Sequence, residues 1–547
     1  MSLLLLALLL QAPSPEPVPI GDPAPRVLNE VVFAGATAYD AQALREAVRL
    51  KTGEPLPRSP EAVARVLESF YRLEGYPAAR VSASFEEATG VLTLTVAEGQ
   101  IGTVTVTGLE GAAEARALKS LGLQPGKPLR EPDVWVGLSR LQDEALGALQ
   151  PEGDPPYTLE EDGPSTRIAV GVKKRPARVY FRGGGPRNSG RYNRVDGFAP
   201  GVRLELALSD FKNYNHLRLG VFAAYGFSSH KLRYGVGLTR GVGELQKTTW
   251  GYDYHDLTDT DDTFRRYGLE EAPGGIINTQ QTVDFFRREG HEAFVYRKLG
   301  SRAQVGLIFR SDQYSSLPVT TKDPPIPEDS VDYNPPVEEG RMSSFIASVR
   351  LVSRGRLFEG IGPEFKAIFQ PSLYGTDWTR QPETLRLDAT YEVASTGLGG
   401  EFEFTRFLGR LRYHEDLSDH LALDGGFLLG LTSGLPPRPK RFALGGLNTL
   451  RGFERKQFQG DEMALAVLEA TLFPGGAWPA FIGFWDGGTV WKNASADAGW
   501  RHDLGLAVRW PPRSRKIFGR VDVAWPIDQT EGRDQGPQVN LRIGIPF

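Results

Sequence analysis

Residues 441–458 read RFALGGLNTLRGFERKQF. The pair Gly445-Gly446 lets the backbone turn tightly, because glycine tolerates positive φ. Leu450-Arg451-Gly452-Phe453 follows at the expected tip of a loop. Taken alone, an Arg-Gly-Phe loop also describes an ordinary surface connection. The segments around it decide the matter. This stretch lies in the last fifth of the 547-residue chain, among segments that alternate apolar and polar residues.

The alternation is strict. Leu385, Leu387, Ala389, Tyr391 and Val393 oppose Arg386, Asp388, Thr390 and Glu392. Leu504, Leu506, Val508 and Trp510 oppose Gly505, Ala507 and Arg509. Val539, Leu541, Ile543, Ile545 and Phe547 oppose Asn540, Arg542 and Gly544, and Leu217, Leu219, Val221, Ala223 and Tyr225 form a similar face earlier in the chain. Period two predicts strands. A face carrying Arg, Asp, Glu and Asn is costly inside a dry sandwich, but suits a barrel with lipid outside and a wet lumen inside. Mean hydropathy is −0.30, and no apolar run of about 18 residues occurs, so helical membrane spans are excluded while a membrane barrel is not. Residues 177–547 have room for sixteen strands of about ten residues with their loops. Two polar stretches are expected to be long extracellular loops: 256–275, with Asp259, Asp261 and Asp262, and 320–340, with five prolines. The Asp cluster lacks the spacing of an EF-hand and is expected to be a solvated acidic loop.

Before residue 177 the pattern changes. A strand is expected over 27–33 and helices over 41–50 and 59–75. Ser59 is placed to cap the second helix, Pro60 suits its first position, and Val63, Val66, Leu67, Phe70 and Tyr71 form its apolar stripe. Strands follow over 79–85 and 91–96. The order β-α-α-β-β then recurs, with a strand over 101–106, helices over 112–121 and 133–149, and strands over 157–161 and 166–173. This is an internal repeat with a period of roughly 75 residues. The apolar block 3–10, followed by Gln11-Ala12, reads as the core of a signal peptide covering 1–12. Residues 13–25 read as a Pro-rich extended linker.

Composition removes several function classes. Formal net charge is −4, which gives no basic surface for nucleic acid. The chain has no cysteine, so disulfides, thiol catalysis and Cys-based metal sites are excluded. The seven histidines are scattered, and no His-Glu-x-x-His, phosphate-binding loop or Gly-x-Ser-x-Gly elbow occurs. Gly235-Val236-Gly237 lies in a strand-like run without a βαβ context. No catalytic residue, metal ligand or cofactor is expected.

Several features in order resemble the BamA/TamA family of outer-membrane proteins: Gly445-Gly446, Leu450-Arg451-Gly452-Phe453, Phe484-Trp485-Asp486-Gly487-Gly488 and the terminal Phe547. The β-α-α-β-β order, with Gly75-Tyr76 after the second helix and 96–99 at its end, resembles a POTRA domain. The resemblance implies POTRA domains over 26–99 and 100–175 in the periplasm, then a sixteen-stranded antiparallel transmembrane β-barrel over 177–547. It also implies that the Arg451 loop folds back into the lumen. A guanidinium there needs partners, since an unpaired buried charge costs several kcal/mol. By resemblance these are the wall acids Glu469 and Asp486, the latter within the motif Phe484 to Gly487, and Phe547 is the signal by which the barrel is recognised for insertion. The implied partners are the outer-membrane bilayer, unfolded barrel or secreted clients, and accessory periplasmic proteins.

Three functions remain open on sequence: an insertion factor, a two-partner-secretion transporter, and a passive pore or surface receptor. The transporters usually carry a plug helix ahead of the first POTRA unit. The Pro-rich 13–25 leaves no room for one, because a helix needs about 12–15 residues to be even marginal. The main assembly protein typically has five POTRA units and the TamA type three, so two units suggest an accessory or specialised factor. A plain porin needs neither POTRA units nor the Arg loop.

Overall fold

The computed structural model describes residues 27–145, 148–163, 165–184, 192–213, 215–243, 247–260, 284–300, 302–321, 334–353, 385–447, 449–476, 478–493, 499–512, 518–528 and 536–544. The expected signal peptide, the linker 13–25 and Phe547 lie outside them. The chain divides into two compact units, one of residues up to 144 with 149–174, the other of 145–148 with 175 onward.

In the first unit, β1 (Glu30–Ala34), α1 (Ala41–Val48), α2 (Pro60–Leu73), β2 (Arg80–Glu86) and β3 (Val91–Ala97) follow one another. Asp40 and Ser59 cap the two helices by accepting from the Ala43 and Ala62 amides. β3 is central, parallel to β1 and antiparallel to β2. Its alternate residues Leu92, Leu94 and Val96 pack on Leu44, Val63, Leu67 and Tyr71 from the helices. The order repeats as β4 (Gln100–Thr107), α3 (Ala112–Leu121), α4 (Glu131–Ala145), β5 (Leu149–Pro151), β6 (Tyr157–Asp162) and β7 (Ser165–Lys174), with β7 again parallel to the first strand. One glycine marks the equivalence. Gly35 and Gly108, each just after the first strand, have φ of +79° and +87°, and a Cβ would stand 2.5 Å from the Val96 carbonyl oxygen and 1.9 Å from that of Val172. The helix expected over 133–149 ends at Ala145. Leu149 fits a helical stripe equally well, but β7 offers open ladder groups, and β5 pairs there instead.

The second unit is one antiparallel sheet of sixteen strands, whose order follows the chain. It begins with β8 (Ala177–Gly184). A short hairpin, β9 (Tyr192–Asn193) with β10 (Gly197–Phe198), stands apart from it. Then come β11 (Gly201–Asp210), β12 (Asn215–Gly226), β13 (Lys231–Val242), β14 (Thr248–Asp259), β15 (Phe286–Leu299), β16 (Ala303–Ser316), β17 (Gly340–Val352), β18 (Leu385–Ala394), β19 (Phe404–Ser418) and β20 (Leu421–Gly434). After the separate hairpin of β21 (Phe442–Leu444) and β22 (Phe458–Gly460), the sheet ends with β23 (Glu462–Leu472), β24 (Ala480–Trp491), β25 (Arg501–Trp510), β26 (Phe518–Pro526) and β27 (Gln538–Gly544). No described helix is long and apolar enough to cross a membrane.

Burial in this sheet is inverted relative to a soluble protein. On β25 and β26, Leu504, Leu506, Trp510, Val521 and Trp525 are exposed, while Asp503, Arg520 and Asp522 are buried. On β17, Phe345, Val349 and Leu351 are exposed, while Ser344, Ser348 and Arg350 are buried. An apolar band of this kind demands lipid rather than water. The inward charges are paired: Arg310 Nη2 is 2.6 Å from Glu292 Oε2, and His255 Nδ1 is 2.5 Å from Asp253 Oδ1.

The expected acidic loop over 256–275 is corrected on this point. β14 continues through Asp259, whose carboxylate meets Arg288 Nε at 2.9 Å, and Asp256 meets Arg233 Nη1 at 3.0 Å and Arg287 Nη2 at 2.9 Å. Arginines on adjacent strands β13 and β15 draw these acids into the sheet. Asp261 and Asp262 lie outside the described residues.

Candidate functional site: the lumen loop and its acidic wall

The connection from β20 to β23 leaves the sheet and lies against its polar face. Lys440, buried, meets Glu392 of β18 at 3.1 Å and holds the descending arm. β21 and β22 pair across its base, Phe442 opposite Gly460. Gly445 and Gly446 then turn with φ of +108° and +83°, and a Cβ on Gly445 would stand 2.2 Å from the Glu454 carbonyl oxygen. The Gly446 amide donates to the carbonyls of Leu450 (2.9 Å) and Phe453 (3.0 Å), which closes the tip. Leu450 and Phe453 are buried with Leu408, Leu428, Phe442, Phe458, Met463 and Val490, an apolar patch on an otherwise polar face. The Phe453 and Phe458 rings meet edge to face at 5.3 Å.

This packing aims Arg451 at the wall. Its Nε and Nη2 each donate to Asp486 at 2.6 Å, a two-pronged geometry that only a guanidinium offers. Nη1 donates to Glu469 Oε1 at 2.5 Å and lies 3.3 Å from Asp522 Oδ1. The guanidinium carbon stands 3.5 Å from the centre of the Phe484 ring, a cation–π contact on the remaining face. Arg451 is 2% exposed, so these partners replace its water. The Gly452 amide donates to Asp503 Oδ2 at 3.0 Å, and a Cβ at Gly452 would stand 2.7 Å from the Asp503 Cβ and 2.9 Å from the Pro526 nitrogen. Asn540 of β27 donates to the Arg451 carbonyl at 3.3 Å. Arg520 links the wall acids to each other, reaching Glu469 at 2.8 Å and Asp522 at 2.7 Å.

The structure thus brings Leu450, Arg451, Gly452 and Phe453 together with Glu469, Phe484 and Asp486. Gly487 is not at this site: a Cβ there would meet the Trp485 ring at 2.5 Å and Trp500 Nε1 at 2.9 Å, so it makes room for tryptophans. Sequence reasoning missed Asp503, Asp522, Arg520 and Asn540. Their signal was present, as polar residues at inward register positions of β25, β26 and β27. The result is one acid on each of four consecutive strands, β23 to β26, and an amide on the fifth.

Comparisons with known proteins bear on both ends of the chain. Residues 382–547 match the Omp85 superfamily domain, and residues 27–99 match the surface antigen variable number repeat, a POTRA model. No curated protein matches the chain by sequence. Among solved structures, BamA from Haemophilus ducreyi lacking POTRA domains 1–3 is 13% identical with a TM-score of 0.48, over 94% of this chain and 99% of that one. CdiB from Escherichia coli is 17% identical with a TM-score of 0.38, over 98% and 94%. The N-terminal domain of Omp85 from Thermosynechococcus elongatus is 27% identical with a TM-score of 0.23, over 27% of this chain and 66% of that one. On these two matches the chain carries an Omp85 superfamily domain over 382–547 and, ahead of it, a POTRA-type domain over 27–99, the make-up of an outer-membrane β-barrel protein with periplasmic POTRA sequence.

Proposed function

We propose that the protein is a BamA/TamA-like factor that receives unfolded clients through its POTRA domains and inserts or translocates them at a seam between β8 and β27. The observation that supports this most is the pairing order, in which β8 and β27 are the two ends of the sheet and each is paired on one side alone among the described residues. Among the described residues β8 pairs with β11 over eight positions and β27 with β26 over seven, against fourteen between β15 and β16. Short edge strands carry few ladder hydrogen bonds to break and leave unpaired N–H and C=O groups for an incoming strand. Burial of the client's apolar face in lipid would drive the step, and no bond is made or hydrolysed. The Arg451 loop, tied to β23, β24, β26 and β27, would brace the C-terminal side of the seam while it opens. The second reading is a dedicated secretion transporter, which the two described β-α-α-β-β repeats would serve equally well. The test is depletion of the protein followed by quantification of outer-membrane and secreted proteins together. Loss of several barrel proteins from the membrane is expected. Loss of one large secreted protein with barrels unchanged would replace the insertion reading by the transporter reading, and no change in either would defeat both.

A further inference from the structure

The lumen loop is also held at its outer end. Just past the Arg451 motif, Arg455 Nη2 and Lys456 Nζ donate to Asp284 at 3.1 Å and 2.5 Å. Asp284 lies two residues ahead of β15. The same carboxylate accepts from Arg194 Nη2 at 3.0 Å, and Arg194 sits in the turn between β9 and β10, within the connection that follows β8. That turn is itself fastened. The Arg194 carbonyl accepts from the Thr320 amide and the Thr321 hydroxyl, both at 3.1 Å, and Arg194 Nη2 also reaches Asn334 Oδ1 at 3.3 Å. Asn334 in turn bonds the backbone of Phe285 and Leu317. At its inner end the loop reaches Asn540 on β27. One connection is therefore tied to both ends of the sixteen-stranded sheet, to β27 directly and to the segment after β8 through the Asp284 carboxylate.

We infer that Asp284 is a positioning residue that latches the lumen loop across the seam, so that β8 and β27 separate only when this carboxylate releases the loop tip or the Arg194 turn. The inference rests on the seam reading given above. Three cations meet at this carboxylate. Removing it cuts the tie and takes away a negative charge that offsets the mutual repulsion of Arg194, Arg455 and Lys456. Arg194 is buried and Asp284 is a quarter exposed, so the effect is large and only partly screened by salt.

The test is single-channel conductance of the purified full-length protein in planar lipid bilayers, with heat-modifiable mobility confirming that each variant is folded. Asp284→Ala is expected to raise the open fraction by at least about tenfold, and more at low salt. Asp284→Glu keeps the carboxylate and is expected to stay near wild type. The double variant Arg455→Ala/Lys456→Ala releases the same tie from the loop side and is expected to open the protein as well; it carries the test if Asp284→Ala does not fold. A folded Asp284→Ala or double variant with wild-type open fraction overturns the inference. So does equal opening in Asp284→Glu and Asp284→Ala, because a mere packing defect would explain that. The assay contains no client, so a failure of the insertion reading leaves these outcomes readable, and an unchanged conductance defeats the latch alone.

Discussion

Arg451 concentrates the energetics of the site in one side chain. Its removal leaves Glu469, Asp486 and Asp522 in a buried wall without the cation they share, and breaking a buried pair from one side costs about 3–5 kcal/mol. Arg451→Ala is therefore expected to keep the barrel but lower its urea midpoint in detergent and weaken client insertion; full activity in that variant would sink the clamp. Arg451→Lys is expected to fall between the two, because one ammonium cannot satisfy both oxygens of Asp486 and reach Glu469. Gly452→Ala should match Arg451→Ala without touching a charge, since its Cβ would press on the backbone at Pro526 and lift the tip from the wall. At this scale the sequence was legible where a motif carried a family resemblance, and it was that resemblance that set Arg451 with Glu469 and Asp486. Asp503 and Asp522 were not, because a lone inward acid on an alternating strand looks like any lumen-facing residue until strand register sets it beside the loop.

Within the first β-α-α-β-β element, Glu98 plays a comparable part. It follows β3, and its carboxylate gathers the Thr37 amide (2.6 Å), the Ala38 amide (2.7 Å), the Thr37 hydroxyl and the Tyr71 hydroxyl (3.2 Å). The turn after β1 and the helix α2 are thereby tied to the end of β3. Burial opposes ionisation of Glu98, but the hydrogen bonds from Thr37, Ala38 and Tyr71 outweigh it and hold its pKa below the ordinary carboxyl value. A depressed carboxyl pKa stabilises the folded form above the unfolded pKa, and the contribution is lost as pH falls through the folded pKa. Amide protection at Thr37 and Ala38 is thus expected to be full at pH 7 and to decline below the usual carboxyl range, while Glu98→Gln weakens it at all pH values and flattens the profile. Hydrogen exchange of the intact chain measures this; a wild-type profile as flat as that of the variant would count against it. The β-α-α-β-β order was readable because capping residues and apolar stripes are local signals. The end of α4 was not, because Leu149 satisfies helix and strand periodicity alike and only the open edge of β7 decides.

For the molecule as a whole, the period-two alternation with charge on one face carried the fold, since no dry core tolerates Arg310, Asp503 and Asp522 at that depth. What it could not reveal is which strands stay singly paired. β8 and β27 alternate like their neighbours, and only the pairing order makes them the two ends. The seam can be tested directly because the chain has no cysteine of its own. Val179 on β8 and Leu541 on β27 are 66% and 61% exposed on the apolar face, so thiols placed there are accessible. Val179→Cys with Leu541→Cys, joined by a reducible bifunctional thiol reagent, would tether the two strands without altering Arg451, its wall or Asp284. If clients enter lipid between β8 and β27, the tethered protein loses insertion of a barrel client into vesicles by at least about tenfold, and reduction restores it, because an edge strand offers its ladder groups only when its neighbour can leave. A tethered protein that inserts clients at the wild-type rate would move the exit away from the seam, and the short end strands would then be a feature of barrel closure alone.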